Sequence, residues 1–168
     1  MPNDHLYTPW RLAYISALGP AETGGECVFC GKQHGTEKSD AANLIVGRSA
    51  HVYAMMNLYP YSSGHLMVIP YDHIDTQENL PDAVLLDIMH TVNKAVAVLR
   101  AVYKPHGFNL GVNLGNAAGA GIAGHYHFHV VPRWYGDANF MTTVGDTRVI
   151  PESHEQAQAK LAAAWSAL

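Results

Sequence analysis

His125-Tyr126-His127-Phe128-His129 puts three imidazoles at every second position of an apolar run that continues Val130-Val131-Pro132. Side chains alternate between faces along a strand. His125, His127 and His129 therefore share one face, and Tyr126, Phe128 and Val130 share the other, which reads as core. A solvated face has no need of repeated imidazoles, so a chemical role outweighs a structural one. Imidazole is a proton carrier, a nucleophile and a metal ligand. A strand rising ~3.3 Å per residue sets His125 and His129 roughly 13 Å apart at Cα. Metal–nitrogen bonds are only ~2.0–2.1 Å. Neighbouring rings can share an ion, but three on one ion is strained. Divided labour along an extended substrate fits better: one ring attacking, one handling protons or substrate oxygens, one supporting.

The segment entering this strand, Gly111-Val112-Asn113-Leu114-Gly115-Asn116-Ala117-Ala118-Gly119-Ala120-Gly121-Ile122, carries little side-chain bulk. Such a loop lets backbone N–H groups approach an anion closely. On its own it is a long turn. Leading into a row of imidazoles, it suggests a phosphoryl or nucleotidyl group. A second constellation is Cys27-Val28-Phe29-Cys30, holding the chain's two cysteines. The spacing supplies half of a tetrahedral metal site or a redox pair. A redox pair would open a helix in a βαβ unit, and nothing in the flanking sequence supports one.

These residues need a scaffold. Strand patterns cover residues 43–48, 51–57, 65–70, 108–114 and 125–132, with turn chemistry at Tyr59-Pro60-Tyr61-Ser62-Ser63-Gly64. Residues 81–103 form the strongest helix pattern: Val84, Leu85, Ile88, Met89, Val92, Ala95, Val96, Leu99 and Val102 recur at steps of three and four. A helix starting at Thr8-Pro9 and stopping at Gly19-Pro20 is predicted near the N-terminus. The Cys pair is placed on a turn, followed by a loose polar stretch over 32–41. Ser153 and Gln156 form a capping box that opens a last helix through Ala157, Leu161, Ala164, Trp165 and Leu168. The order implies an α+β fold with a largely antiparallel sheet.

Composition sets the outer limits. A chain of 168 residues with 48% apolar and 14% charged residues buries a real core as one domain. Ten basic against fourteen acidic residues, net charge −4, offer no counterion release for coating a polynucleotide. Two cysteines build no disulfide framework. No signal-peptide pattern opens the chain, and no run reaches the ~18 apolar residues of a membrane span. A cytoplasmic protein without membrane partners is expected.

The run from His125 to Val131 resembles the His-φ-His-φ-His-φ-φ motif of the histidine triad (HIT) superfamily. The likeness extends over Asn57, Gly64-His65, Val68-Ile69-Pro70, residues 118–122, Pro132-Arg133-Trp134, Gly136-Asp137-Ala138-Asn139-Phe140, residues 147–151 and Trp10-Arg11. These flanks are similar to a bacterial branch related to diadenosine tetraphosphate phosphorylases. The resemblance implies a five-stranded antiparallel sheet with packed helices, a single domain over 1–168 with a core near 27–150 and helical extensions at both ends, and a homodimer. It also implies a purine nucleotide or dinucleoside polyphosphate substrate.

By position, His127 is the expected nucleophile, attacking an α-phosphorus to give a nucleotidyl-histidine that water or inorganic phosphate releases. His129 contacts the phosphate or the leaving oxygen, and His65 orients the triad. Asn57 and Asn113 match nucleoside contacts. Gly119, Ala120, Gly121 and Ile122 match the loop whose backbone donors meet phosphoryl oxygens. Gly121 stands where several eukaryotic relatives carry glutamine, which removes a side-chain donor near the leaving group. His73 and His125 match positions that join the Cys27 and Cys30 pair around a structural zinc. Two other classes compete: a nucleotide-binding regulator with little turnover, and a metal-dependent hydrolase using His127 and His129 as ligands. Trp134 and Trp165 are open between core, dimer contact and substrate lid, with packing favoured.

Overall fold

The computed structural model describes residues 27–34, 37–137, 141, 144, 145 and 151–168. The helix expected from Thr8, residues 138–140 and residues 147–150 lie outside the described residues. Five strands form one sheet in the order β1-β2-β3-β5-β4, with every neighbouring pair antiparallel. They are β1 (Ile45–Arg48), β2 (Val52–Met56), β3 (Leu66–Pro70), β4 (Gly107–Gly111) and β5 (Phe128–Arg133). The expected α+β architecture with an antiparallel five-stranded sheet is therefore present. Among the described residues four α-helices accompany it: α1 (Val28–Gln33), α2 (Glu37–Ala42), α3 (Asp82–Tyr103) and α4 (His154–Ala167).

Every residue of β2 and β3 is buried, because the sheet is covered on both faces. Val52, Ala54, Met56, Leu66, Val68 and Val130 face α3 and α4 and form the larger core with Ile88, Val92, Leu99, Leu161 and Trp165. The alternate residues Tyr53, Met55, Met67 and Ile69 face the other way and form a small cluster with Phe29 and Ile45. The β2–β3 turn closes at Gly64, where φ is +74° and an added Cβ would come within 2.9 Å of Leu99.

α3 follows the predicted stripe through Val84, Ile88, Val92, Ala95 and Leu99, and ends in a left-handed Lys104 whose N–H donates to the Arg100 carbonyl. Met89 departs from the expected stripe and is 47% exposed. Ile88 takes the core position, and the next residue is turned about 100° away. The capping box of α4 is present, with Ser153 Oγ accepting from the Gln156 N–H. Trp165 is core: it lies so close over β1 that a Cβ on Gly47 would come 2.0 Å from its Nε1. Leu168, expected on the buried face, is exposed. Gln158 is buried instead, donating to the Ile45 carbonyl at 2.8 Å beside the β1 irregularity.

Two further expectations need correction. The described part of 32–41 is not loose: α1 runs to Gln33, α2 starts at Glu37, and Asp40 pairs with both Arg48 Nη2 at 2.6 Å and Nε at 2.9 Å. Helices of six residues carry too few turns to show a periodic stripe. The histidine strand begins at Phe128, not His125. Its pairing with β3 stops at Val68 and Phe128, and the Tyr126 N–H goes instead to the Ile74 carbonyl at 2.6 Å. The run from His125 to His127 leaves the ladder while keeping the alternation of faces.

Candidate active site

The three triad rings lie on the sheet face away from α3 and α4, and Tyr126 and Val130 point into the larger core. His125, His127 and His129 are 1%, 6% and 8% exposed, so each ring is buried enough for its hydrogen bonds to fix its tautomer. Those bonds give each ring a different polarity.

His125 donates Nε2–H to the Pro70 carbonyl at 2.9 Å. Its bare Nδ1 then faces Cys27 Sγ at 3.4 Å and Cys30 Sγ at 3.6 Å, and His73 Nδ1 lies 3.3 Å from Cys30 Sγ. All four donor atoms lie within 4.8 Å of one another. Ligands of a tetrahedral zinc sit about 3.3–3.8 Å apart, so this two-sulfur, two-nitrogen set fits such an ion. The Pro70 carbonyl is the outer partner a ligating imidazole needs. Cys27 caps α1 and Cys30 lies in its first turn, so the pair does open a helix, contrary to the predicted turn. Among the described residues no βαβ unit surrounds it, because all their strand pairs are antiparallel.

His127 donates Nδ1–H to the His125 carbonyl at 2.8 Å, which leaves the Nε2 lone pair outward. Desolvation pushes its pKa below the usual imidazole value, and the backbone bond opposes this in part. The neutral, nucleophilic form is therefore favoured. Phe29 packs on the ring at 5.2 Å between centroids, and His129 meets it edge-on at 4.9 Å.

His129 has the opposite polarity. The Tyr61 N–H donates to His65 Nδ1 at 3.1 Å, so His65 carries its proton on Nε2 and donates to His129 Nδ1 at 2.9 Å. His129 is left with Nε2–H, a buried donor that has no partner among the described residues. Burial, and then the neighbouring His127, push its pKa down to about 4. The site thus presents a lone pair on one ring next to an unspent N–H on the next. That suits attack on a centre whose leaving oxygen accepts a hydrogen bond.

The remaining expected residues are distributed unevenly. Ile122 packs against the Phe29 cluster, which brings the end of the glycine-rich loop to the histidine face. The N–H groups of Ala118, Gly119 and Ala120 are turned inward to carbonyls at 115 and 116. Those of Gly121, Ile122 and Ala123 meet no acceptor among the described residues. Asn57 Oδ1 accepts the Tyr59 N–H at 2.9 Å, which is turn chemistry. Asn113 lies two residues past Gly111, the β4 partner of His129, and its side chain makes no hydrogen bond among the described residues. The metal-donor cluster includes His125 and excludes His127 and His129, against a catalytic ion held by the triad. Sequence reasoning missed Phe29 and Tyr61. The signal for Phe29 was an aromatic residue between the two cysteines of the Cys-x-x-Cys sequence.

The family model described as "HIT domain" matches residues 38–135. The chain is 43% identical over 164 residues to the "AP-4-A phosphorylase" of Mycobacterium tuberculosis, covering 96% of this chain and 84% of that protein. Among solved structures, a Zn-bound histidine triad family protein from Mycobacterium smegmatis superposes with a TM-score of 0.65 at 24% identity, covering 84% of this chain and 94% of that one. A member of the HIT family from Bacillus subtilis gives 0.57 at 26% identity, covering 83% and 96%. With this geometry and these likenesses together, the chain belongs to the HIT domain family.

Proposed function

We propose that this chain is an enzyme cleaving the phosphoanhydride chain of dinucleoside polyphosphates, with diadenosine tetraphosphate as the first candidate substrate. The carrying observation is the pairing of opposite polarities, an outward lone pair on His127 Nε2 beside the unpartnered N–H of His129. The 43% identity to a protein named AP-4-A phosphorylase supports the substrate class.

In the first step His127 Nε2 forms a bond to the α-phosphorus while the bond from that phosphorus to the bridging oxygen breaks. The electron pair leaves on the polyphosphate, whose oxyanion accepts a hydrogen bond from His129 Nε2–H without needing the whole proton. Developing charge on the other phosphoryl oxygens meets the N–H groups of Gly121 and Ile122. In the second step inorganic phosphate attacks the same phosphorus, and His127 departs with its electron pair. Dividing one displacement into two lowers the barrier of each.

Cys27, Cys30, His73 and His125 would hold a zinc ion, which supplies cross-linking of the α1 segment to the sheet. Purified chain is expected to carry about one zinc equivalent, lost on joint Cys27→Ser and Cys30→Ser substitution and read by elemental analysis. A homodimer belongs to the same reading, with β4 as an edge strand exposing Leu110.

The deciding experiment is product analysis of diadenosine tetraphosphate turnover with and without inorganic phosphate. ADP plus ATP only in the presence of phosphate is expected. AMP plus ATP regardless of phosphate replaces the second nucleophile with water. No turnover under either condition overturns the reading.

A further inference from the structure

We propose that Phe29, set between the paired cysteines, is a positioning residue for His127 that holds the imidazole with Nε2 facing outward. Among the described residues one hydrogen bond, Nδ1–H to the His125 carbonyl, holds the ring. The χ2 torsion of histidine is broad and nearly two-fold, so one bond leaves the ring able to flip, which would set Cδ2 against the carbonyl and free Nδ1 from the bond that holds its proton. The two ring contacts restrict that flip: His129 edge-on at an interplanar angle of 76°, and Phe29 tilted at 56°. Phe29 also offers no acceptor, so a proton on the outer nitrogen gains nothing from that side.

Phe29 is itself held firmly. It is 3% exposed and packs with Ile45, Tyr53, Met55, Met67 and Ile69. Its carbonyl accepts the Tyr53 hydroxyl at 3.0 Å. Its ring also meets His125 edge-on at 5.4 Å between centroids. One aromatic side chain therefore touches both the ring that faces the cysteines and the ring that faces the substrate. The inference rests on His127 being the nucleophile, but the ring orientation is measurable without any substrate.

The experiment uses the full chain labelled with 15N-histidine, and compares wild type with Phe29→Leu, Phe29→Val and Phe29→Ala. Ring NMR reads the tautomer of His127, elemental analysis reads zinc, and steady-state kinetics read kcat and KM. Wild type is expected to show a single Nδ1–H tautomer at His127. Phe29→Ala is expected to show a mixture, with kcat lowered about tenfold or more and KM changed less than about threefold. Phe29→Leu restores the single tautomer and most of kcat, with Phe29→Val between. Phe29→Val takes the place of Phe29→Ala if the latter does not fold. A folded variant with a lowered melting temperature but an unchanged His127 tautomer overturns the proposal, as does a loss carried by KM alone. Absence of turnover in wild type would overturn the substrate reading and leave the tautomer comparison to decide this one.

Discussion

The two faces of the sheet are made from the same strands, yet they do different work. On the helical face, Val52, Ala54, Leu66, Val68 and Val130 meet α3 and α4 in a broad apolar core. On the opposite face, Tyr53, Met55, Met67 and Ile69 support a cluster of six buried residues, and beside them lie four buried histidines, His65, His125, His127 and His129. The period of two splits each central strand into a half that stabilises and a half that positions chemistry. Stability and activity should therefore respond to different residues one position apart.

The largest expected effect is on the histidine face. His127→Asn should lower turnover of diadenosine tetraphosphate by about 10⁴-fold or more, since removal of the proposed nucleophile leaves only binding and electrostatic help. Its urea midpoint should stay near that of wild type. A large loss of stability would show that the two faces are not separable.

Leu99→Ala tests the helical face. The side chain is fully buried, and its truncation should cost about 2–5 kcal/mol in urea unfolding. KM should hold at a temperature where the variant remains folded. A shifted KM would mean that strain crosses the sheet.

The pH dependence of stability sharpens the contrast from the histidine side. The fold lowers the pKa of His129 from 6.5 to about 4, so the unfolded chain binds the proton more readily. This contribution is fully present above pH 6.5 and is lost as pH falls towards 4, amounting to at most about 3 kcal/mol. His127 is shifted in the same direction. Urea midpoints at pH 7 and pH 4.5 should differ accordingly, and His129→Asn should flatten the difference. An equally steep profile in that variant would place the titrating groups elsewhere.

The smallest effect is at the cap of α4. Ser153→Ala removes the hydroxyl that accepts the Gln156 N–H and should cost about 1 kcal/mol. Thermal melts check the loss, and an unchanged kcat checks its confinement to the helical face.

What was legible in the sequence follows the same division. The alternation through Tyr126, His127, Phe128 and His129 is a strong period-two signal, and the structure keeps it even where the ladder stops. The long stripe of α3 was legible for the same reason. Met89 was misplaced because a residue adjacent to Ile88 also satisfies a three-or-four spacing. α1 and α2 were invisible because six residues hold fewer than two turns. Phe29 was missed because its contact is non-local, with a histidine 98 positions away, and Tyr61 because it acts through its backbone amide, which no residue type announces. Asn57 was expected as a nucleoside contact, and its Oδ1 accepts the Tyr59 N–H in the turn.

The chain from the Tyr61 amide through His65 to His129 begins at a group with no alternative protonation state in ordinary buffers. Its direction is inherited from the main chain. Replacing the Tyr61 side chain leaves the amide in place, so most codon changes there preserve the hydrogen-bonding sense of the whole series. Proline is the exception, because it alone deletes that amide. The donor character of the terminal imidazole is thus buffered against sequence drift by an atom that nineteen of the twenty standard residues supply.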